Sequence, residues 1–133
     1  GWTTTIVSAI DTRIHLSFPV AGSVPIFLRD NDDFGDWEQT VVEFYRLANY
    51  LELYVLGAHG RGRKQLQIIN LFDNCCFYGP KMLLYGESVK SAVAIIGRGE
   101  FELFVDKTTK KHTVSNTALT MITNVIGKYL DEL

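Results

Sequence analysis

Residues 65 to 106 form a succession of short apolar segments separated by turn-forming residues. The segments are rich in Ile, Leu, Val, Phe and Tyr, and they span 65–72, 75–78, 82–85, 92–96 and 101–105. Turn signals such as Gly79-Pro80 and Gly97-Arg98-Gly99 separate them. Because the gaps are too short to hold a crossover helix, we expect neighbouring segments to pair as antiparallel hairpins.

A sixth strand is predicted immediately before this run. Leu51, Leu53 and Val55 alternate with Glu52, Tyr54 and Leu56, which is a period of two. A glycine-rich basic loop, 57–64, then joins this strand to the segment at 65–72 as a long hairpin. The pattern therefore predicts a six-stranded antiparallel meander.

The first fifty residues predict a strand-strand-helix segment. The β-branched stretch 3–10 and the alternating stretch 13–18 favour a hairpin. A helix is expected over 36–49, because Asp36 and Gln39 resemble a capping box and apolar residues recur with a helical period.

A second helix is predicted to close the sheet. Ser115 or Asn116 is a suitable N-cap residue, and one face of the following segment carries Leu119, Ile122, Ile126, Tyr129 and Leu133. The expected fold class is α+β: a single compact domain, 1–133, with a strand-strand-helix segment at 1–50 and a meander closed by a C-terminal helix at 51–133.

Composition narrows the functional classes. With 133 residues and a 47% hydrophobic content, the chain is long enough to bury a core. The sequence has no apolar run long enough to span a bilayer, and its net charge of -2 makes nucleic acid an unlikely partner. Two adjacent cysteines cannot join distant loops, so we expect a reducing compartment, cytoplasm or nucleus, for a chain without a secretory signal.

Residues 51–133 resemble a polo box, the module at the C-terminus of polo-like kinases. The resemblance lies in Ile69-Asn70-Leu71-Phe72-Asp73-Asn74, the segment 101–105 and Ile126-Gly127-Lys128-Tyr129-Leu130. It implies a six-stranded antiparallel sheet closed by a helix and a non-catalytic protein-interaction and targeting role. The implied partner is a scaffold protein or peptide, or a second copy in a homodimer, at a centriole, kinetochore or other cytoskeletal or chromosome-associated structure.

The residues that clamp phosphate in such modules differ here. The matching positions hold Cys75, Cys76 and Phe77, which cannot neutralise a phosphoserine. We therefore expect binding that does not depend on phosphate.

An alternative function is anion binding, of inositol phosphates or RNA. His59, Arg61, Arg63 and Lys64 form one basic loop, and a second spans 107–112. Glycines at 60 and 62 would let backbone N–H groups approach an anion. The competing interpretation is a solvated hairpin tip with Arg61 and Arg63 exposed, and the two loops are expected at opposite ends of the sheet.

Catalytic, metal and cofactor sites have no sequence support. The acidic stretch 30–36 imitates a calcium loop, but Phe34 and Val41 fall where ligands are needed. Cys75 and Cys76 on a strand would point to opposite faces, and no Cys/His set has metal spacing. His15 and His112 have no catalytic partner at a recognisable spacing. We therefore expect no enzyme, no bound metal and no cofactor.

Overall fold

The computed structural model describes residues 1–30 and 37–132. Helices and strands follow one another as α1 (Trp2–Ile10), β1 (Leu16–Ser17), α2 (Val42–Tyr45), α3 (Tyr50–Ala58), β2 (Arg63–Asn70), α4 (Gly86–Ile96), β3 (Gly99–Asp106) and α5 (Asn116–Asp131). Short 3-10 turns at Ile26–Leu28, Trp37–Thr40 and Lys81–Leu84 connect them.

The sheet is parallel and has three strands in the order β1-β2-β3. β2 and β3 pair along their whole length, from Arg63 opposite Gly99 to Asn70 opposite Asp106. β1 pairs with β2 only at Leu16 and Ser17, with one further bridge between Val20 and Ile68. The predicted antiparallel six-stranded meander is therefore wrong for the described residues, although helices and strands do coexist.

The crossover helix α4 accounts for most of this difference. The segments 82–85 and 92–96 are not strands: residues 82–84 lie in a 3-10 turn, Tyr85 is the N-cap residue of α4, and residues 92–96 lie in α4. Gly86, Val89 and Val93 are buried at positions i, i+3 and i+7, which is one face of a helix. Gly86 and Ser88 also lie inside this helix, so the connection between β2 and β3 is long enough for a parallel crossover.

Residues 51–56 form helix α3 instead of the sixth strand. The Asn49 side chain accepts hydrogen bonds from the backbone N–H groups of Leu51 and Glu52, and the Glu52 carboxylate accepts one from the N–H of Asn49. This reciprocal capping box starts a helix. The buried residues of α3 recur at helical spacing: Tyr50, Leu53, Tyr54, Gly57 and Ala58.

The predicted N-terminal hairpin is also absent. The stretch 3–10 lies in α1, whose buried residues Trp2, Thr5 and Ser8 recur every three positions. Of the stretch 13–18, only Leu16–Ser17 is a strand, and it pairs with β2 in parallel. Burial of one helical face therefore outweighs the β propensity of three consecutive threonines.

The helix expected at 36–49 is present only in pieces. A 3-10 turn at Trp37–Thr40 is followed by the single-turn helix α2 and then by the Asn49 cap. The predicted cap at Asp36 and the calcium-like residues 31–36 lie outside the described residues.

The predicted C-terminal helix is confirmed as α5. The Ser115 hydroxyl accepts a hydrogen bond of 2.9 Å from the Ala118 N–H, as expected of an N-cap. Ala118, Ile122 and Val125 pack on the sheet, whereas Leu119 and Ile126 are exposed. The buried face of α5 therefore contains Ala118 and Val125 in place of the predicted Leu119 and Ile126.

Helices cover both faces of the sheet. Side chains of α1, α3 and α4 form the larger apolar core together with Ile69 of β2 and Phe101 of β3. On the opposite face α5 packs against Leu66, Ile68 and Phe104. β2 is thus buried on both sides, which is the usual environment of a parallel strand.

Candidate functional site

Arg63, one of the predicted anion-binding residues, is a buried structural residue. Its side chain is only 6% exposed, which contradicts the expected exposed position. The guanidinium donates hydrogen bonds to the carbonyl groups of Ile14 (2.9 Å), Leu56 (3.0 Å), His59 (2.9 Å) and Ser8. Desolvation lowers the pKa of Arg63, with the charge of Asp11 acting in the opposite direction. Arg63 therefore ties the start of β2 to α1 and α3.

The other three predicted residues do not converge on one cationic site. The Lys64 ammonium contacts the carboxylates of Glu100 (3.1 Å) and Glu102 (2.8 Å). His59 is the C-cap residue of α3, and Arg61 is exposed in the turn before β2. Of the four residues, Arg63 and Lys64 are thus engaged within the chain.

The two basic loops lie at opposite ends of the sheet, as the sequence predicted. The loop containing His59 and Arg61 precedes β2, and the loop 107–112 follows β3. Since β2 and β3 run in parallel, one loop lies at the amino ends of the strands and the other at their carboxyl ends.

Polar side chains gather at the carboxyl ends of β2 and β3 and hold the loop that leads to α5. The buried Asn70 donates from Nδ2 to the carbonyl oxygens of Lys111 (3.0 Å) and Thr113 (2.8 Å). Asp106 accepts from the Thr108 N–H (2.7 Å), the Thr108 hydroxyl (2.6 Å) and the Ser115 hydroxyl. Crevices at this edge of parallel sheets are common ligand sites.

The hydrogen bonds to Asp106 affect its ionisation. Burial acts to raise the pKa of this carboxyl, but the hydrogen bonds from Ser115 and Thr108 outweigh it and hold the pKa below the ordinary 3.8. Asp106 is therefore a buried carboxylate near neutral pH.

At the same edge of the sheet, Asp73 contacts two cysteines and a histidine. Its side chain is 1% exposed, and Oδ2 lies 2.7 Å from Nδ1 of His112. Oδ1 accepts hydrogen bonds from the backbone N–H groups of Cys75 (2.9 Å) and Cys76 (3.3 Å). The predicted strand at 75–78 is wrong, because these residues form an irregular turn. The two sulfur atoms do not point to opposite faces: they are joined to each other as a disulfide.

Sequence reasoning missed this group because its members are far apart in the chain. One donor atom from each of Cys75, Cys76 and His112 lies within 4.8 Å of the others. The spacing from 76 to 112 matches no metal signature. The sequence did contain one signal for this group. Asp73 lies two residues before the cysteine pair, and an aspartate at such a position can form an Asx turn.

β3 is an open edge strand. Within residues 1–30 and 37–132 its eight residues pair only with β2. In a strand every second residue directs its N–H and C=O groups away from the paired neighbour, so about four residues of β3 present backbone groups outward. The other edge strand, β1, has only two residues.

A groove of about 550 Å³ runs beside β3. Apolar side chains of Leu83, Leu103 and Val105 line it, together with the carboxylates of Glu87, Glu100 and Glu102. Leu83 is 64% exposed. A second groove, of about 540 Å³ and mostly apolar, lies between α3 and α4 and includes Leu47, Leu51, Val55, Leu56 and Ile96.

None of the described helices combines the length and the apolar character that crossing a membrane requires. The polo-box resemblance stays a prediction, but the six-stranded sheet that it implies is not present in the described part of the chain. No protein-family model, curated protein or solved structure matches this chain.

Proposed function

We propose that this protein is a protein-association module that self-associates by antiparallel pairing of β3 with β3 of a second copy. The observation that carries the proposal is the eight-residue β3 edge, whose outer side is paired with no strand among the described residues. An exposed edge of this length favours pairing with another strand, because pairing satisfies its outward N–H and C=O groups.

The side chains of β3 favour one register of the pair. A two-fold axis at Leu103 puts Phe101 opposite Val105 of the partner subunit, so one face of the extended sheet joins apolar residues. The same register also places Glu100 opposite Asp106 of the partner subunit, a pair of carboxylates that acts against the pairing. The resulting six-stranded sheet would also cover Leu83.

Lys64 supports this pairing from the neighbouring strand. Its ammonium group contacts both Glu100 and Glu102, so the acidic face of β3 is partly neutralised before a second copy arrives. Without such compensation, two acidic edges would repel each other.

The charges of the groove beside β3 also support an association that does not depend on phosphate. Three carboxylates line it, those of Glu87, Glu100 and Glu102, with Lys90 as a basic neighbour. A phosphate group carries a charge of about -1.5 to -2 and would be repelled by them.

Sedimentation velocity over a concentration series tests the proposal. We expect the wild-type chain to form a dimer in the range of tens of micromolar, and both Leu103→Lys and Leu83→Lys to sediment as monomers. The reason is that each lysine would place an ammonium group in the apolar part of the new interface. Inorganic phosphate should leave the association unchanged.

Leu119→Lys is the matched control. Leu119 is an exposed leucine on α5, outside the groove beside β3, so this variant should dimerise like the wild type. Circular dichroism should establish that each variant is folded. A wild-type chain that stays monomeric throughout, or folded edge variants that dimerise normally, would contradict the proposal.

A further inference from the structure

The turn after β2 and the loop before α5 bring three metal-binding side chains together. Cys75, Cys76 and His112 each offer a donor atom, and the three atoms lie within 4.8 Å of one another. Cys75 is exposed, and the side chain of His112 is 42% exposed. A small ion could therefore reach the group from solvent. The association of β3 does not involve these residues.

One buried carboxylate holds all three residues. Asp73 contacts Nδ1 of His112 through Oδ2 and the backbone N–H groups of both cysteines through Oδ1. In metal centres a histidine ligand commonly donates one ring N–H to a carboxylate, which orients the ring and leaves the other nitrogen as a ligand. Asp73 stands in that relation to His112.

Asn70 holds the backbone on both sides of His112. Its Nδ2 donates to the carbonyl groups of Lys111 and Thr113, the two neighbours of His112. The N–H of Asn74 also donates to the Lys110 carbonyl at 2.9 Å. The backbone on both sides of His112 is thus tied to the end of β2, and the imidazole is held beside the cysteines before any ion arrives.

We propose that, when Cys75 and Cys76 are reduced, they bind one Zn²⁺ ion together with His112 and leave a fourth coordination position open. Two thiolates and an imidazole are ligands that Zn²⁺ prefers, at about 2.3 Å for sulfur and 2.0 Å for nitrogen. Tetrahedral donors at those lengths lie roughly 3.5–3.8 Å apart, so the two sulfur atoms must move apart once their bond is broken, while all three donor atoms already lie within 4.8 Å of one another.

The oxidation state of the cysteine pair controls this site. In the structure the two sulfurs are bonded to each other, and a disulfide supplies no thiolate ligand. A dithiol reductant breaks the S–S bond, gives two thiols and becomes a disulfide itself. Zn²⁺ then replaces the two thiol protons, which are released. In the reverse direction a small-molecule disulfide accepts two electrons from the cysteine pair and becomes two thiols, the S–S bond of Cys75 and Cys76 forms again, and the Zn²⁺ ion is released.

Zinc titration of the reduced and oxidised chain tests the proposal. The protein is reduced with a water-soluble phosphine, which becomes a phosphine oxide and does not compete as a thiol. Binding of Zn²⁺ alone is followed by competition with a chromophoric chelator. We expect one Zn²⁺ per reduced chain, and at least a tenfold weaker affinity after oxidation to the disulfide.

Variants identify the ligands. Cys75→Ser, Cys76→Ser and His112→Ala should each weaken Zn²⁺ binding at least tenfold, whereas His59→Ala, at the opposite end of β2, should not. Co²⁺ provides a second readout, because thiolate ligands give it a charge-transfer band that serine at either position should reduce. Asp73→Asn should weaken affinity about tenfold and keep the band, as expected of a positioning residue.

Circular dichroism of each variant separates loss of a ligand from loss of the fold. The proposal is overturned if the reduced wild-type chain binds no Zn²⁺ at micromolar concentrations. It is equally overturned if oxidised and reduced chains bind alike, or if the folded His112→Ala variant keeps wild-type affinity.

Discussion

Arg63 and Asp106 are buried charged residues at opposite ends of the sheet, and each joins segments that are distant in the sequence. Arg63 donates to carbonyl groups in α1, the segment before β1, and α3 with its cap. Asp106 accepts from Thr108 and from Ser115, the N-cap of α5. Both charged groups stabilise the fold, because their hydrogen bonds are made to other parts of the same chain.

Replacing Arg63 by alanine should lower the free energy of unfolding by about 2–4 kcal/mol, because four carbonyl groups lose a charged donor. Arg61→Ala is the matched control, since Arg61 is exposed in the preceding turn, and its effect should stay within about 0.5 kcal/mol. Urea unfolding followed by circular dichroism measures both changes. Equal effects of the two substitutions would mean that the guanidinium contacts of Arg63 contribute nothing.

Asp106 should make stability depend on pH in the acidic range. Its pKa in the folded chain is below the ordinary 3.8, so its contribution is fully present above about pH 5 and is lost as the pH falls through the folded pKa. Asp106→Asn should remove this contribution and cost about 1–3 kcal/mol at neutral pH.

Urea unfolding at about pH 7 and about pH 3 checks this prediction, because at the lower pH the unfolded chain, in which the pKa of Asp106 is higher, binds a proton there more readily than the folded chain does. The difference between the wild type and Asp106→Asn should therefore shrink at the lower pH. A difference that stays constant between the two pH values would assign the effect to lost packing.

At the scale of helices and strands, sequence reasoning found β2, β3 and α5 and missed α1, α3 and α4. β2 and β3 are rich in residues that favour strands, and α5 has a capping serine and an amphipathic face. α3 and α4 are apolar on several sides, so an alternating or continuous apolar pattern did not distinguish a buried helix from a strand. The Asn49-x-x-Glu52 capping box was the local signal for α3.

The wrong prediction of antiparallel pairing followed from the same error. Once the 3-10 turn at Lys81–Leu84 and the end of α4 are read as two short strands, the remaining gaps between β2 and β3 are too short for a crossover connection. The site at the carboxyl ends of the strands depends on this connection, because only parallel strands bring Asp73 and the loop after β3 to one edge. The geometry of this site could therefore not be predicted without the parallel topology of the sheet.

Asn49→Ala should lower the free energy of unfolding by about 1 kcal/mol, because α3 would lose the acceptor for the N–H groups of Leu51 and Glu52. Asn124→Ala, an exposed substitution within α5, is the control and should be neutral or slightly stabilising, since alanine favours helix. Thermal unfolding monitored at a helical wavelength compares the two. A larger loss for Asn124→Ala would contradict the role of the cap.

At the scale of the whole molecule, two surfaces compete as the site of association. The groove between α3 and α4 offers apolar side chains such as Leu47 and Ile96. The β3 edge offers apolar side chains and also outward backbone groups. Hydrogen exchange distinguishes the two surfaces, because a strand added to β3 protects amides that are otherwise open to water.

We therefore expect the amides of β3 that point away from β2 to exchange quickly in dilute solution and slowly at concentrations where the dimer forms. Amides of β2, which lies between two strands, should be protected at both concentrations. The turn at 46–49 beside the α3–α4 groove should exchange alike in the two conditions. Leu103→Lys should abolish the concentration dependence at β3, because it prevents the pairing. If protection instead appears at 46–49 while β3 stays unchanged, the chains associate through the α3–α4 groove and the β3 proposal is wrong.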